Sequence, residues 1–441
     1  MTIKPSQGNK TFCMAPWVHS YLSPTSERRI CCASTEPAQS FKQYIDTADG
    51  SNVFEPKTLK SHWNSDHMKS VRRRMMAGEI LDECKVCNHN LLQPGSAYRG
   101  WFNKVYSNLI DDAFEKTTDD GSTSMECVSF DYRFTNLCNF KCRMCGSNLS
   151  SSWESEEKMH MEDFYERRLW AHPNIKNKQA KFVTDIAEKE MELAIRNKTI
   201  QETYWVGGEP LMYDQHWKFM KMIVDQGLAN QVKARYNTNL SRIEYKKINL
   251  FDDILKHFNY FHICASIDGT SEIGEWIRTG LNYKQFIENF EHGLKYHNGK
   301  NKRMSLDFTL TLPGLFEIEN MIDLANKYNV ELICKVVLEF SSEVLMCPLS
   351  LPKNILHRKI DEILKKIQPK INENTEDMIT LLNHLKERQT FEEKYNDYKI
   401  GFEKGKKFQT KLEKIRTQKI TLSEILSKDK EILEWWNNEK I

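Results

Sequence analysis

In the stretch CNFKCRMCG, three cysteines, Cys138, Cys142 and Cys145, fall within eight positions among basic and amide side chains. Thiolates at this spacing are soft metal ligands, suited to zinc or to an iron–sulfur cluster. A structural zinc site is normally closed by four protein ligands. A 4Fe–4S cluster held by three cysteines keeps one iron open to a ligand that is not protein. Two further stretches could serve such a centre. WVGGEP (205–210) offers Gly207 and Gly208, which let a backbone approach a ligand closely, and the carboxylate of Glu209. SIDG (266–269), followed by EWIRTG (275–280), supplies Ser266 and Arg278. The plainer alternatives are a zinc loop for the cysteines and a strand-to-helix turn for the glycines.

Each of these stretches follows a segment with strand character. VSFDYRF (128–134), TYWV (203–206), KARYN (233–237) and YFHICASI (260–267) read as strands. SLDFTLTL (305–312) alternates strictly, and ELICKVVLEF (331–340) makes a sixth strand. NTN (237–239), with Asn237, ends the third. Helical spacing fills the gaps, as in Trp217, Met220 and Ile223, or Ile318, Met321, Ile322 and Ala325. Strands alternating with helices predict an α/β fold with parallel strands and right-handed crossovers, a partial (β/α)6 barrel. In such folds the C-terminal ends of the strands carry the chemistry. Period-two alternation puts His262, Cys264 and Asp268 on the face of Ser266. Asp131, Arg133, Arg235, Asn237, Asp307, Thr309 and Thr311 form matching sets, which either line a cavity or satisfy one another as a buried polar layer. Cys334 reads as a small buried hydrophobe.

Taken together and in order, the C-x3-C-x2-C loop, GGEP, NTN, SIDG and EWIRTG resemble the motif set of the radical S-adenosylmethionine (SAM) superfamily, over about residues 127–340. The resemblance implies that Cys138, Cys142 and Cys145 ligate a 4Fe–4S cluster whose open iron chelates SAM. Met144 matches the hydrophobic residue before the last cysteine. By the same resemblance Glu209, with Gly207 and Gly208, would hold the SAM ammonium group. Asn237, Ser266 and Arg278 would serve the rest of the cofactor. The implied activity is reductive cleavage of SAM to a 5′-deoxyadenosyl radical that abstracts hydrogen from a substrate. A flavodoxin- or ferredoxin-type electron donor is the implied partner.

A second cysteine group lies near the N-terminus: CMAPW (13–17), RRICC (28–32) and DECKVC (82–87). It resembles the twitch domain, the shortened SPASM domain that holds an auxiliary 4Fe–4S cluster in many radical SAM enzymes. Cys13, Cys31, Cys84 and Cys87 match the ligand positions, with Cys32 as the rival of Cys31. The hairpin lacks the usual glycine, and the unit precedes the barrel rather than following it. Zinc is the alternative metal there. Three consecutive arginines, Arg72, Arg73 and Arg74, read as a solvated basic face.

These readings divide the chain into a twitch-like unit (1–100), a radical SAM core (101–345) and a helical C-terminal extension (346–441). The extension is rich in Lys and Glu, and reads as a solvated appendage. A net charge of +2 gives no reason to expect nucleic acid or an anionic membrane as a partner. The polar start, MTIKPSQGNK, and the lack of a long apolar run lead to the expectation of a soluble, cytoplasmic protein. A peptide is the expected substrate, with a nucleoside or sugar as the alternative. A zinc-stabilised binding protein without turnover is the rival outside the enzymes.

Overall fold

Alternating burial along the strands decides how the sheet is covered. In the computed structural model, which describes residues 2–35, 43–46, 52–89, 97–162, 166 and 168–437, the main sheet has eight strands. They are β1 (His19–Leu22), β2 (Arg28–Arg29), β3 (Ser129–Tyr132) and β4 (Glu202–Trp205), then β5 (Lys233–Thr238), β6 (Tyr260–Ser266), β7 (Lys302–Leu310) and β8 (Leu332–Val336). Their spatial order is β8-β7-β6-β5-β4-β3-β1-β2. All neighbours run parallel except the hairpin β1–β2. On β6, Phe261, Ile263 and Ala265 are fully buried, whereas His262, Cys264 and Ser266 on the opposite face are only partly covered. That polar concave face encloses the site.

The six expected strands are present in sequence order, with β7 starting earlier and β8 ending earlier than their sequence segments. A seventh parallel strand was not expected. His19 of β1 stands opposite Ser129 of β3, so the cysteine-rich N-terminal unit is joined to the barrel through the sheet. All four residues of β1 are buried, so it shows no polar–apolar alternation to betray it.

The helices used below are α1 (Asp66–Met76), α2 (Ala97–Val105), α3 (Ser151–His160), α4 (Asp214–Asp225), α5 (Ser271–Ile277), α6 (Tyr283–Leu294), α7 (Ile318–Tyr328), α8 (Lys353–Ile367), α9 (Asp377–Glu387) and α10 (Tyr398–Ile415). Trp217, Met220 and Ile223 of α4, and Ile318, Met321, Ile322 and Ala325 of α7, are buried as their spacing predicts. No helix among the described residues is long and apolar enough to cross a membrane.

Two regions read as solvated are not. Arg72 of α1 is fully buried, with its guanidinium donating to the carbonyls of Pro16 and Trp63 and to Asn64 Oδ1. It stacks 5.2 Å from the Trp63 ring. The three arginines therefore differ, because a helix turns one of every three or four residues inward. The C-terminal extension is helical, but its apolar stripe joins the barrel core. Leu356 and Ile360 of α8, Leu381, Leu382 and Leu385 of α9, and Phe402 of α10 belong to the same apolar cluster as the strands. Each such buried side chain contributes roughly 1.5–3 kcal/mol. The extension also covers the open edge of the sheet, where the Leu332 amide of β8 donates to the Asn374 carbonyl (2.8 Å). An unpaired parallel edge would otherwise face solvent.

Candidate active site

The cysteine loop leaves β3 and runs to Ser150, which caps α3. Ser150 Oγ accepts from the Trp153 amide and donates to the Phe140 carbonyl (2.6 Å), so one hydroxyl both starts the helix and pins the loop. The Cys138 amide donates to Ser151 Oγ (3.1 Å), and Trp153 Nε1 donates to the Cys142 carbonyl (2.8 Å). On its other side the loop pairs with the last residue of α5 and the turn after it. Lys141 N donates to Thr279 O (2.7 Å) and Arg143 N to Ile277 O (2.9 Å).

The GGEP segment reaches the same loop through its backbone. Glu209 N donates to Leu137 O (2.7 Å). Gly208 has φ +57, and a Cβ there would lie 2.6 Å from Leu137 O, so only glycine allows this approach. At Gly207 a Cβ would lie 2.4 Å from Arg133 Cδ. Two motifs far apart in the chain thus touch one loop.

Arg278 lies against the cysteines. Its Nη2 donates to Asp268 Oδ1 (3.0 Å), its Nε stands 2.7 Å from Asp268 Oδ2, and its Nη1 is 3.9 Å from Cys142 Sγ. Asp268, fully buried, also accepts from the Thr309 amide. Burial pushes the three thiols up, Cys145 to about 12, so metal loading must release protons. Met144 is half-buried and packs against the main core.

Glu209 is buried and already well supplied with donors. Its carboxylate accepts from Leu211 N (3.0 Å), Thr238 Oγ1 (2.6 Å) and Asn239 N (2.6 Å). Burial raises its pKa to about 7 against the lowering effect of these donors. Ser266 ends β6 opposite Asp307, without a hydrogen bond from its hydroxyl to any described residue. Asn237 is not free. It accepts from Tyr204 Oη (2.6 Å) and donates to Asp307 Oδ2 (2.6 Å), and Asp307 Oδ1 takes Lys335 Nζ at 2.5 Å.

That polar chain forms one wall of a cavity of about 350 Å³ inside the barrel. Asp131, Arg235, Asn237, His262, Cys264 and Asp307 line it, whereas Thr309 and Thr311 do not. Arg235 is sandwiched between the rings of Trp101 (3.8 Å) and Tyr204 (4.6 Å). Trp101 comes from α2, which straddles the expected boundary at residue 100, and Cys32, Val86, Cys87 and Tyr98 of the N-terminal unit line the cavity beside it. Cys334 is buried on the other face of β8 and donates to the Leu332 carbonyl, as a small core residue would.

The N-terminal cysteines separate into two environments. Cys13, Cys31, Cys84 and Cys87 line one small enclosed space of about 20 Å³, with Met75, Tyr98 and Phe102. Cys32 turns instead into the barrel cavity beside Tyr98 and Asp131. Cys87 borders both. Cys31 and Cys32 open a turn just after β2, in which the Ser34 amide donates to the Cys31 carbonyl (3.1 Å), and the two side chains leave that turn in different directions that sequence position alone does not set. Among the described residues, no three Cys, His, Asp or Glu side chains converge closely enough to hold a single metal ion.

Sequence reasoning missed the clasp that the C-terminal extension makes on the cysteine loop. Arg416, buried just beyond α10, donates through Nε (3.1 Å) and Nη2 (2.7 Å) to Glu156 Oε1, and through Nη1 to Lys141 O (2.9 Å) and Thr279 Oγ1 (3.3 Å). Its guanidinium lies 4.3 Å from the Trp153 ring. Arg143, inside the loop, stacks 3.6 Å from the Trp276 ring and donates to Gln409 Oε1 (2.9 Å) and to Gln418. No local pattern marks these partners, because Arg416 and Glu156 are 260 residues apart.

Residues 132–325 match the family model of the Radical SAM superfamily. The match takes in the cysteine loop, GGEP, Ser266 and Arg278, and the superfamily implies SAM and a 4Fe–4S cluster as cofactors. Among solved structures, Streptococcus suis SuiB bound to S-adenosylmethionine is 16% identical, with a TM-score of 0.35 over 55% of this chain and 47% of that one. The chain thus spans about half the length of SuiB. Native anSMEcpe with bound AdoMet and Cp18Cys peptide is 16% identical over 52% of this chain and 59% of that one, with a TM-score of 0.32. TYW1 with a lysine-pyruvate adduct bound is also 16% identical, over 54% of this chain and 71% of that one, with a TM-score of 0.29. A search of curated proteins finds no match.

Proposed function

We propose that this protein is a radical SAM enzyme in which Cys138, Cys142 and Cys145 hold the cluster and the cavity behind them receives the substrate. The observation that carries this reading is the backbone convergence of GGEP and the 277–279 segment on one three-cysteine loop. The donor set fits the cofactors: three thiols on one short loop, a glycine cradle against it, and a guanidinium and a carboxylate of opposite charge nearby. When bound, a reduced 4Fe–4S cluster with SAM supplies a 5′-deoxyadenosyl radical and methionine.

The chain's own residues bind, orient and exclude water. Arg278 presents a cation whose direction is set by Asp268. Glu209 offers a carboxylate that a ligand ammonium would hold ionised near neutral pH, against the burial that favours its protonated form. Gly207 and Gly208 let their turn close onto Arg133 and the cysteine loop, which sets Glu209 against that loop, and Ser266 and Asn237 stand at the neighbouring strand ends. The walls of the cavity carry charges of both signs, Asp307 paired with Lys335, and Arg235, whose buried partner Glu202 (3.5 Å) lies outside the lining. Such walls suit a residue of a peptide, with polar backbone and side chain both to be satisfied, and a peptide is the substrate class we assign.

Glu209→Gln and Arg278→Gln are each expected to weaken SAM binding by roughly 1.5–3 kcal/mol, the range for a hydrogen bond to a charged group, with iron content unchanged. Calorimetry on the reconstituted protein measures this, and equal affinity in both variants would remove these residues from the site.

The four thiols at Cys13, Cys31, Cys84 and Cys87 support an auxiliary 4Fe–4S cluster beside the cavity, in a twitch-like unit spanning 1–100, followed by a core (101–345) and the extension (346–441). In the Cys138/Cys142/Cys145 triple-alanine background, anaerobic metal analysis is expected to find about four irons per chain. Adding Cys31→Ala should remove them, while adding Cys32→Ala should not. One zinc and negligible iron would refute the cluster.

A further inference from the structure

The outward face of α10 carries lysines directly above the loop that its inward face holds. Inward, Phe402, Gln409 and Leu412 are buried. Gln409 accepts from Arg143, and Phe408 stacks on Trp153 (6.3 Å between ring centroids), whose indole nitrogen donates to the Cys142 carbonyl. Outward, Lys404, Lys407, Lys411 and Lys414 are exposed at intervals of three and four residues, one stripe of the helix. Six lysines and two glutamates give α10 a charge of +4, twice the +2 of the whole chain. Lys404 pairs with Glu343 (3.1 Å) and Lys411 donates to the His160 carbonyl, whereas Lys407 and Lys414 form no ion pair among the described residues. With Lys406, Glu403 and Thr410, the last three lysines line an open depression of about 600 Å³.

We infer that this face docks a small acidic one-electron carrier protein. The inference rests on the radical SAM reading, which requires that an electron reach the cysteine loop from outside. One electron leaves the carrier for the cluster, and its transfer breaks the C5′–S bond of SAM, giving methionine and the 5′-deoxyadenosyl radical. The lysine stripe is separated from the loop by about one helix diameter, roughly 10 Å. Its charge attracts a protein of opposite sign and orients it over that helix. A basic stripe alone would also attract a nucleic acid. Its place over the loop, on a chain otherwise near neutral, favours the carrier.

Reduced flavodoxin is the probe, with Lys407→Gln/Lys411→Gln/Lys414→Gln as the variant. Calorimetry at low salt should show affinity for flavodoxin lowered at least about tenfold in the variant, and wild-type affinity falling steeply as salt is raised. Carbodiimide cross-links between flavodoxin carboxylates and the wild-type protein should map to these three lysines. Dithionite-driven SAM cleavage and the melting temperature should not change. Unchanged affinity, or cross-links mapping elsewhere, would overturn the proposal. So would a variant that loses stability and dithionite-driven cleavage, because the face would then serve the fold. A short RNA that binds the wild type more tightly than flavodoxin at the same salt, and is lost in the variant, would overturn it in favour of nucleic acid. Failure of the wild type to cleave SAM with dithionite refutes the radical reading itself, in an arm of the experiment that contains no carrier.

Discussion

Alanine at Cys138, Cys142 and Cys145 together is expected to abolish 5′-deoxyadenosine formation, leaving only the rate of reductant and SAM without protein. The effect is all-or-none because the proposed cluster has no other ligands in that loop. The fold should survive. The loop's shape is held by Ser150, Ser151 and Trp153, and by the strand-like pairing of Lys141 and Arg143 with Ile277 and Thr279, none of which involves a thiol. A near-native melting temperature with no product is therefore the expected pair of results. Product at the wild-type rate would sink the assignment of the site.

The second large effect belongs to Arg416. Its side chain is fully buried and its carboxylate partner Glu156 nearly so. Removing one member of a buried ion pair leaves the other desolvated, which costs about 3–5 kcal/mol. In Arg416→Ala, Glu156 keeps only Lys141 (2.5 Å), itself part of the cysteine loop. The loop should then lose its outer brace as well as its charge balance. Lowered thermal stability is expected, with faster loss of iron on gel filtration and an altered EPR spectrum of the reduced cluster. Arg416→Lys should restore part of the stability but not the fork that reaches Lys141 O and Thr279 Oγ1 together.

The same clasp has an acid limit. Burial acts to raise the Glu156 carboxyl, but hydrogen bonds from Arg416 and Lys141 outweigh it and hold the group below the usual carboxylate range. A depressed folded pKa stabilises above the unfolded value, and that contribution is lost as pH falls through the folded one. Iron retention in the wild type should therefore exceed that of Glu156→Gln near neutral pH and converge on it as pH falls through the folded pKa of Glu156. Identical melting and iron retention in Arg416→Ala and the wild type would show that the extension does not support the loop.

What could be read from the sequence alone was whatever short-range geometry encodes. Cys138, Cys142 and Cys145 lie on one loop, so their spacing already limits what they can ligate. Alternation along Tyr260–Ser266 or Lys233–Thr238 reports which face is buried, because side chains on a strand project to opposite sides. The GGEP glycines announce a close approach, though not to what. Tertiary structure decided the rest. It put Cys31 with Cys13, Cys84 and Cys87 and turned Cys32 into the barrel, since the direction of each of two adjacent residues depends on what packs on either side. It made β1 a strand of the main sheet, buried Arg72 and left Arg73 exposed, and enclosed Glu209 among Thr238, Asn239 and Leu211. It also brought Arg416 onto Glu156 and Lys141 across most of the chain. Such contacts follow from which surfaces exclude water together, and a surface is assembled from many segments at once. No single stretch of residues contains it.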